Sequence, residues 1–221
     1  MSRHRKKERK HPLTNINTTK DKILEVAIDL FSHKGYSGVS IREITREVGI
    51  KESSLYNHFK NKDEIITTIF ELFRNEFAKT LPPTELLEDI LKNSTIQQFF
   101  EKGFENFKEH IDHPTNEKLW RIIYIEHYRN SIARELFLND IIKNTLSFLE
   151  IVFEILIMQK KIKPLRPSLL AAEYQYPMFS MLAEYNMLRF DQKDTSEIEN
   201  KMKEHVEFFL DTVRVDESTQ K

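Results

Sequence analysis

Glycine is distributed so unevenly along this chain that its placement constrains the fold more than any other feature. Only four of the 221 residues are glycine, and Gly35, Gly38 and Gly49 lie within fifteen residues of one another. Glycine accepts the backbone angles of tight turns and helix ends, so such turns are concentrated in this short segment. The remainder is rich in leucine, isoleucine, phenylalanine, glutamate and lysine, without the alternation typical of strands. We therefore predict an all-α protein.

Helix start and stop signals surround these glycines. Ser40, with Glu43 three residues later, has the pattern of a capping box at a helix start, and Gly49 is suited to end that helix. A preceding helix ends at Gly35, and a third follows over residues 52–58. Two helices joined by a tight turn that begins with glycine form a helix-turn-helix pattern, whose second helix enters the major groove of DNA.

The third helix can be oriented from its two large apolar residues. Leu55 and Phe59, four apart, must face the core, and at about 100° per residue the other side then carries Ser53, Tyr56, Asn57 and Lys60. Tyr56 and His58 either contact DNA or pack in the core. Arg42 and Lys51 either contact DNA or are ordinary surface charges. With neighbouring polar residues, the predicted DNA contacts are Ser40, Arg42, Lys51, Glu52, Ser53, Ser54, Tyr56, Asn57, His58, Lys60 and Lys62.

Charge is divided between the two ends of the chain. Residues 1–62 hold 14 lysines and arginines against 7 acids, a balance of +7, whereas the remainder holds 20 against 28, a balance of −8. A basic front and an acidic back indicate that only the first part meets a polyanion. We predict a flexible basic arm over 1–17, a DNA-binding domain over 18–62, a connecting helix over 63–80 and a larger helical domain over 81–215. The arm either adds DNA contacts or is a solvated tail.

The second part of the chain is predicted to contain helices over residues 84–93, 95–111, 115–130, 132–160, 168–190 and 195–214. Trp120, Tyr124, His127 and Tyr128 share one face of a helix. Most aromatic residues here are expected in the core, but apolar walls with a few polar groups also make ligand pockets. The candidate ligand-binding residues are Phe104, Trp120, Tyr124, His127, Tyr128, Phe148 and Tyr174.

Several functional classes find no support in the sequence. The chain has no cysteine, which excludes disulfides and thiolate chemistry and is compatible with a cytoplasmic location. His110, Asp112 and His113 precede Pro114 in a loop, so a solvated helix end is expected there rather than a metal site. We find no phosphate-binding glycine loop and no nucleophile–base set, and we expect no cofactor, no metal, no membrane span and no enzymatic activity. An all-helical enzyme or a protein–protein adaptor remains the alternative.

Residues 19–66 resemble the DNA-binding domain of the TetR family of bacterial repressors. The stretch SLYNHFKNKDEI, which begins at Ser54, is the most specific part of this resemblance. The other matching positions include Ala27, Phe31, Gly35, Ser40, Ile44 and Gly49, and the whole covers about a quarter of the chain. Thr45, Val48, Lys51 and Ser53 depart from the usual pattern. Since Lys51 has no side-chain acceptor, it cannot cap the third helix through its side chain.

The resemblance implies a transcriptional repressor that binds double-stranded operator DNA as a homodimer. A small-molecule effector, whose identity the sequence does not reveal, would release it from the operator, and the resemblance implies that residues 81–215 form the effector-binding and dimerisation domain. In this family the last two helices pair with those of a second subunit, here over about 168–190 and 195–214. The final helix carries a broad apolar stripe that a monomer is expected to leave partly exposed, namely Ile198, Met202, His205, Val206, Phe209 and Val213.

Overall fold

The computed structural model of the chain describes residues 18–215, and within that range the secondary structure is helical apart from one isolated β-bridge between Ile162 and Arg214. This confirms the prediction of an all-α fold. The basic arm predicted over 1–17 lies outside the described residues. None of the helices within 18–215 combines the length and the apolar character that crossing a lipid bilayer requires.

The chain divides into two compact units between Ile69 and Phe70. The first contains α1 (Thr19–Lys34), α2 (Ile41–Val48), α3 (Glu52–Leu55) and the first two turns of α4 (Lys62–Phe77). The division therefore falls inside the helix that the sequence analysis treats as a connector. One continuous helix contributes Ile65, Ile66 and Ile69 to the buried residues of the first unit and Phe70, Phe73 and Phe77 to those of the second.

Capping contacts explain where α1 begins. The Thr18 side chain accepts a hydrogen bond from the Asp21 backbone N–H at 3.2 Å, and the Asp21 carboxylate accepts one from the Thr18 backbone N–H at 3.2 Å. This reciprocal capping box satisfies two otherwise unpaired donors. Ile23, Ala27 and Phe31 are fully buried along the inner face of the helix.

The second unit contains α5 to α11, joined by turns. After 3-10 turns at Ala78–Thr80 and Thr84–Leu86, its elements are α5 (Leu87–Lys92), α6 (Ile96–Ile111), α7 (Pro114–Glu126), α8 (Ser131–Glu135), a π-helical segment (Leu136–Lys143), α9 (Asn144–Met158), α10 (Pro167–Phe190) and α11 (Ser196–Val213). Helix α10 continues through Pro177.

The structure corrects two of the predicted helices in this unit. Helix α7 ends at Glu126 rather than near 130, and the helix expected over 132–160 runs without a gap from 131 to 158 but winds as a π-helix over Leu136–Lys143. Asn130 marks the break after α7, because its side-chain oxygen accepts the backbone N–H groups of Ile132 and Ala133 at 2.9 and 3.2 Å and so starts a new helix.

The core of the second unit is built around α9 and includes the inner face of α11. Val152, Phe153 and Leu156 of α9 are completely buried. Ile198, Met202, Val206, Phe209 and Val213 have 1, 5, 5, 6 and 1% of their surface exposed within the single chain. The expectation that a monomer leaves this stripe partly exposed is therefore wrong, since other helices of the same unit already cover it.

A network of charged groups ties α6 and α7 to α10 and α11. We call it the ion network, and its members are Lys108, Asp112, Glu117, Arg121, Tyr185, Arg189 and Glu199. Asp112 lies at its centre, accepting hydrogen bonds from Lys108 at 2.7 Å, from the Tyr185 hydroxyl at 2.5 Å and from Arg189. Partial burial raises the pKa of Asp112, but the hydrogen bonds from Lys108 and Tyr185 outweigh it and lower the pKa below its usual value.

Candidate nucleic-acid interface

The turn between α2 and α3 begins at Gly49, which ends α2. The Ser40 side chain accepts the Glu43 backbone N–H at 3.2 Å and starts α2, and Gly49 ends it in the left-handed conformation at φ 78°. Lys51 precedes α3 in an extended conformation and makes no side-chain cap, as its lack of an acceptor predicts. The two helices are therefore joined in the helix-turn-helix arrangement that the sequence indicates.

The outer face of α3 is the one predicted. Leu55 and Phe59 are 0 and 1% exposed, which anchors this segment in the core. The four side chains expected to point outward are all exposed, namely Ser53, Tyr56, Asn57 and Lys60, and His58 and Ser54 are half-buried. A hydroxyl, an amide and a cation thus share one surface, the combination that hydrogen-bonds base edges and phosphates.

The structure shortens α3 relative to the predicted span of 52–58. The α-helix ends at Leu55, and the following residues form a tighter turn in which the Asn57 N–H donates to the Ser54 carbonyl at 3.3 Å and the His58 N–H to the Leu55 carbonyl at 2.8 Å. The Phe59 N–H then returns to the Leu55 carbonyl at 3.0 Å. Asn57 and Lys60 are therefore presented by a turn rather than by an ideal helix.

An open groove of about 760 Å³ lies between α2 and α3. Its walls are Arg42, Thr45, Arg46, Ile50, Lys51, Glu52 and Ser53, so three cations face one acid. Four of these residues are among the predicted DNA contacts, and Arg46 is not. Its position one helical turn after Arg42 was the available signal, because residues four apart share a helix face. The Arg46 guanidinium pairs with Glu47 at 3.3 Å, and both side chains are largely exposed.

Lys62 is the one predicted DNA contact whose charged group is turned back into the fold. Its ammonium donates to the carbonyl oxygens of Tyr36 and Val39 at 2.9 and 2.7 Å. Its role in DNA binding stays a prediction, and the geometry gives it a structural role that the sequence analysis did not foresee.

The candidate ligand-binding residues are split between two places in the second unit. Trp120 is 1% exposed and packs against the rings of Phe73, Phe77, Phe107 and Tyr124, with ring centroids 5.0, 5.6, 6.5 and 5.9 Å away. We call these five residues the Trp120 cluster. Burial raises the pKa of Tyr124 to about 12. Within the described part of the chain, the Trp120 indole N–H has no hydrogen-bond partner, and a buried donor without one is energetically costly.

The other candidates lie beside this cluster or away from it. His127 stacks on Phe137 at 4.9 Å and contacts Tyr128, which is 81% exposed. Phe148 and Tyr174 belong instead to the core around α9, where Tyr174 packs on Phe100 and Phe209. Phe104 is half-buried. The structure therefore does not bring the seven predicted residues together around one site.

Two of the histidines weighed as metal ligands make local contacts instead. The His113 ring nitrogen accepts the Thr115 backbone N–H at 3.3 Å and caps the start of α7. The His110 ring nitrogen lies 3.1 Å from the Asn116 side-chain amide. Both imidazole rings therefore make local contacts at the junction between α6 and α7.

Comparisons with known proteins point to the same domain. Residues 23–69 match the family model described as bacterial regulatory proteins, tetR family. The biofilm operon icaADBC HTH-type negative transcriptional regulator IcaR of Staphylococcus epidermidis is 48% identical over 62 residues, which are 28% of this chain and 34% of that protein. The probable HTH-type transcriptional regulator YttP of Bacillus subtilis is 31% identical over 109 residues, 49% of this chain and 50% of that one. The chain thus spans a third to a half of the length of these relatives.

Similarity of the fold extends over most of the chain. A putative TetR-family transcriptional regulator from Mesorhizobium loti superposes with a TM-score of 0.61 at 18% identity, covering 89% of this chain and 97% of that one. At this level of identity the likeness concerns the fold, which has an N-terminal helix-turn-helix domain followed by a larger helical domain.

Proposed function

We propose that this chain is a transcriptional repressor that a small-molecule ligand releases from its operator, because residues 23–69 match the family model of the bacterial regulatory proteins, tetR family. The observation that carries the proposal is the exposed surface of α3 and the following turn, where Tyr56, Asn57 and Lys60 adjoin a groove lined by three cations. A regulator of this kind acts in the bacterial cytoplasm, where the chromosome lies.

The side chains of this surface divide the work of DNA recognition. Arg42, Arg46 and Lys51 pair with phosphates and set the position of the domain on the duplex. The Tyr56 hydroxyl donates to a further phosphate, and the Asn57 amide forms two hydrogen bonds with an adenine edge in the major groove. The remaining contacts come from Ser40, Glu52, Ser53, Ser54, His58 and Lys60.

Selection of binding sites from a pool of random duplexes tests this function and supplies the operator. On the selected sequence, Asn57→Ala is expected to lose about 1–3 kcal/mol, or about 5- to 150-fold in affinity, and much less on random DNA. Asn139→Ala, which changes an exposed asparagine of the second unit, serves as the matched control. Equal losses on both DNAs would show that Asn57 reads no base, and failure to select any sequence would refute the function.

The proposed repressor is a homodimer joined through α10 and α11. Since the inner stripe of α11 is buried, the proposal rests on the outer faces, where Tyr176, Met187 and Phe208 are 52, 64 and 72% exposed. Exposed apolar groups of this size favour a protein contact. A two-fold dimer also suits an operator with two half-sites one helical turn apart.

Sedimentation at micromolar concentration is expected to give twice the chain mass of 26.5 kDa. Phe208→Glu places a charge in the proposed interface and is expected to shift the protein towards the monomer. Leu138→Glu changes an apolar residue that is 53% exposed in the π-helical segment, and it is expected to leave the dimer intact. A wild-type protein that sediments as a monomer at every concentration would exclude this arrangement.

The effector is proposed to bind at the Trp120 cluster and its neighbour His127. Aromatic walls suit a largely apolar, aromatic or cationic ligand, and the unpaired indole N–H offers a donor to it. Phe73 and Phe77 lie on α4, whose first turns belong to the DNA-binding unit. A ligand that displaces these rings therefore acts on a helix that DNA binding also uses, which gives a physical basis for coupling.

Trp120 is the only tryptophan, so its fluorescence reports on this site alone. A compound that releases the protein from DNA is expected to change the Trp120 emission with the same concentration dependence. Release of DNA with unchanged emission would place the effector elsewhere. Trp120→Phe, which keeps an aromatic ring and removes the N–H, is expected to lower the affinity for ligands that carry a hydrogen-bond acceptor.

A further inference from the structure

The ammonium group of Lys62 holds the loop that leads into α2. It donates to the Tyr36 and Val39 carbonyl oxygens at 2.9 and 2.7 Å, and it lies 4.0 Å from the centroid of the Tyr36 ring. Carbonyl dipoles and an aromatic face both stabilise a cation. We call these three contacts the Lys62 clasp. They join Lys62, the first residue of α4, to Val39 and Tyr36, which lie 23 and 26 positions earlier in the chain.

A second contact fixes the same loop from the neighbouring residue. The Tyr36 hydroxyl donates to the Asp63 carboxylate at 2.5 Å, so consecutive residues of α4 hold Tyr36 at its backbone, its ring and its hydroxyl. The loop also runs close to the end of α1, because a β-carbon on Gly38 would clash with the Lys34 carbonyl oxygen.

This loop sets the position of the groove cations. Val39, whose carbonyl Lys62 holds, directly precedes Ser40, the cap of α2. Helix α2 in turn carries Arg42 and Arg46. A change in the loop therefore moves the start of α2 relative to α3 and misplaces the cations relative to the side chains that read bases.

The clasp uses two of the three N–H groups of the Lys62 ammonium, and the Tyr36 ring lies against the same group. Lys62 is half-buried, so moving its ammonium towards a phosphate would take a charged donor from the carbonyl oxygens of Tyr36 and Val39. Resting on the DNA-binding function proposed above, we propose that Lys62 is a positioning residue, which acts on DNA through Tyr36 and Val39 and α2, and that its ammonium does not contact a phosphate. This replaces the sequence-based expectation of a direct contact.

A double-mutant cycle with a salt series tests the inference. Lys62→Met and Tyr36→Leu are each expected to weaken binding to the selected operator about tenfold. Each is expected to weaken binding to random DNA by a smaller factor. The double variant is expected to be no weaker than the weaker single variant, because both changes remove the same clasp. Lys62→Met should leave the slope of log affinity against log salt unchanged, whereas the exposed Lys60→Met, the matched control, should make it shallower by about 0.9 per lost phosphate contact.

A footprint on the unmodified protein keeps the test independent of how the variants fold. Lysine acylation followed by mass spectrometry is expected to find Lys62 equally protected with and without DNA, and Lys60 protected only by DNA. The fraction of active protein, titrated with excess operator, separates lost affinity from lost folding.

The outcomes distinguish this inference from the function on which it rests. Additive losses in the cycle, a shallower salt slope for Lys62→Met, or DNA-dependent protection of Lys62 would each overturn the positioning role and leave the repressor function standing. A change in folded fraction alone, with unaltered affinity and specificity of the active molecules, would likewise overturn it. A wild-type protein that binds no DNA would overturn both proposals.

Discussion

Replacing Arg42, Arg46 and Lys51 together by glutamine is expected to weaken DNA binding by about four decades at 0.15 M salt. The three cations line one groove between α2 and α3, so the proposed dimer presents six. Each phosphate contact contributes about 0.9 to the slope of log affinity against log salt, which corresponds to about 0.7 of a decade at this salt concentration. The affinities for operator and for random DNA are expected to fall by nearly the same factor, because phosphate contacts carry no sequence information.

A charge-matched control separates contact from long-range attraction. Lys92, Lys143 and Lys203 are exposed in the second unit, and replacing all three by glutamine removes the same net charge from the chain. This control is expected to change the salt slope by less than one. If both triple variants lost affinity to the same extent, net charge rather than the groove would govern binding.

Phe59→Ala is expected to destabilise the first unit by about 3–5 kcal/mol, the usual cost of deleting a buried aromatic ring. Phe59 is 1% exposed and closes the turn that follows α3, so its ring anchors the segment that presents Asn57. The ring also lies 5.2 Å from the Lys20 ammonium of α1. Urea unfolding, monitored by hydrogen exchange of the backbone amides in α1 to α3, measures the loss in the free energy of unfolding.

Tyr56→Ala provides the comparison within the same segment. Tyr56 is three residues away and 53% exposed, so its removal is expected to change the free energy of unfolding by about 0.5 kcal/mol or less. DNA affinity should nevertheless fall, because its hydroxyl is a proposed phosphate contact. Similar destabilisation by the two changes would contradict the assignment of inner and outer faces.

The features that the sequence predicts well are those fixed by neighbouring residues. Ser40 with Glu43 and Gly49 in the left-handed conformation set the limits of α2 through contacts inside four residues. Leu55 and Phe59 likewise decide the outer face, because two buried anchors leave one orientation open. Both inferences depend on helical geometry and hydrogen-bond chemistry that do not vary with the rest of the fold.

The features that it misses depend on partners distant in the chain. The Lys62 contacts span 23 and 26 residues. The periodicity of α11 correctly indicates a buried face, but it cannot tell cover by the same chain from cover by a second one. Phe148 and Tyr174 show the same limit, because aromatic content gives no information about which core a ring joins.

The ion network also constrains how this chain can diverge. Its charged members are three cations, Lys108, Arg121 and Arg189, and three anions, Asp112, Glu117 and Glu199, drawn from four helices. Losing one leaves an opposite charge half-buried without its partner, which costs more than losing the pair. Substitutions here are therefore tolerated in compensating pairs. In an alignment of relatives, the charged positions of the ion network should therefore show correlated substitutions.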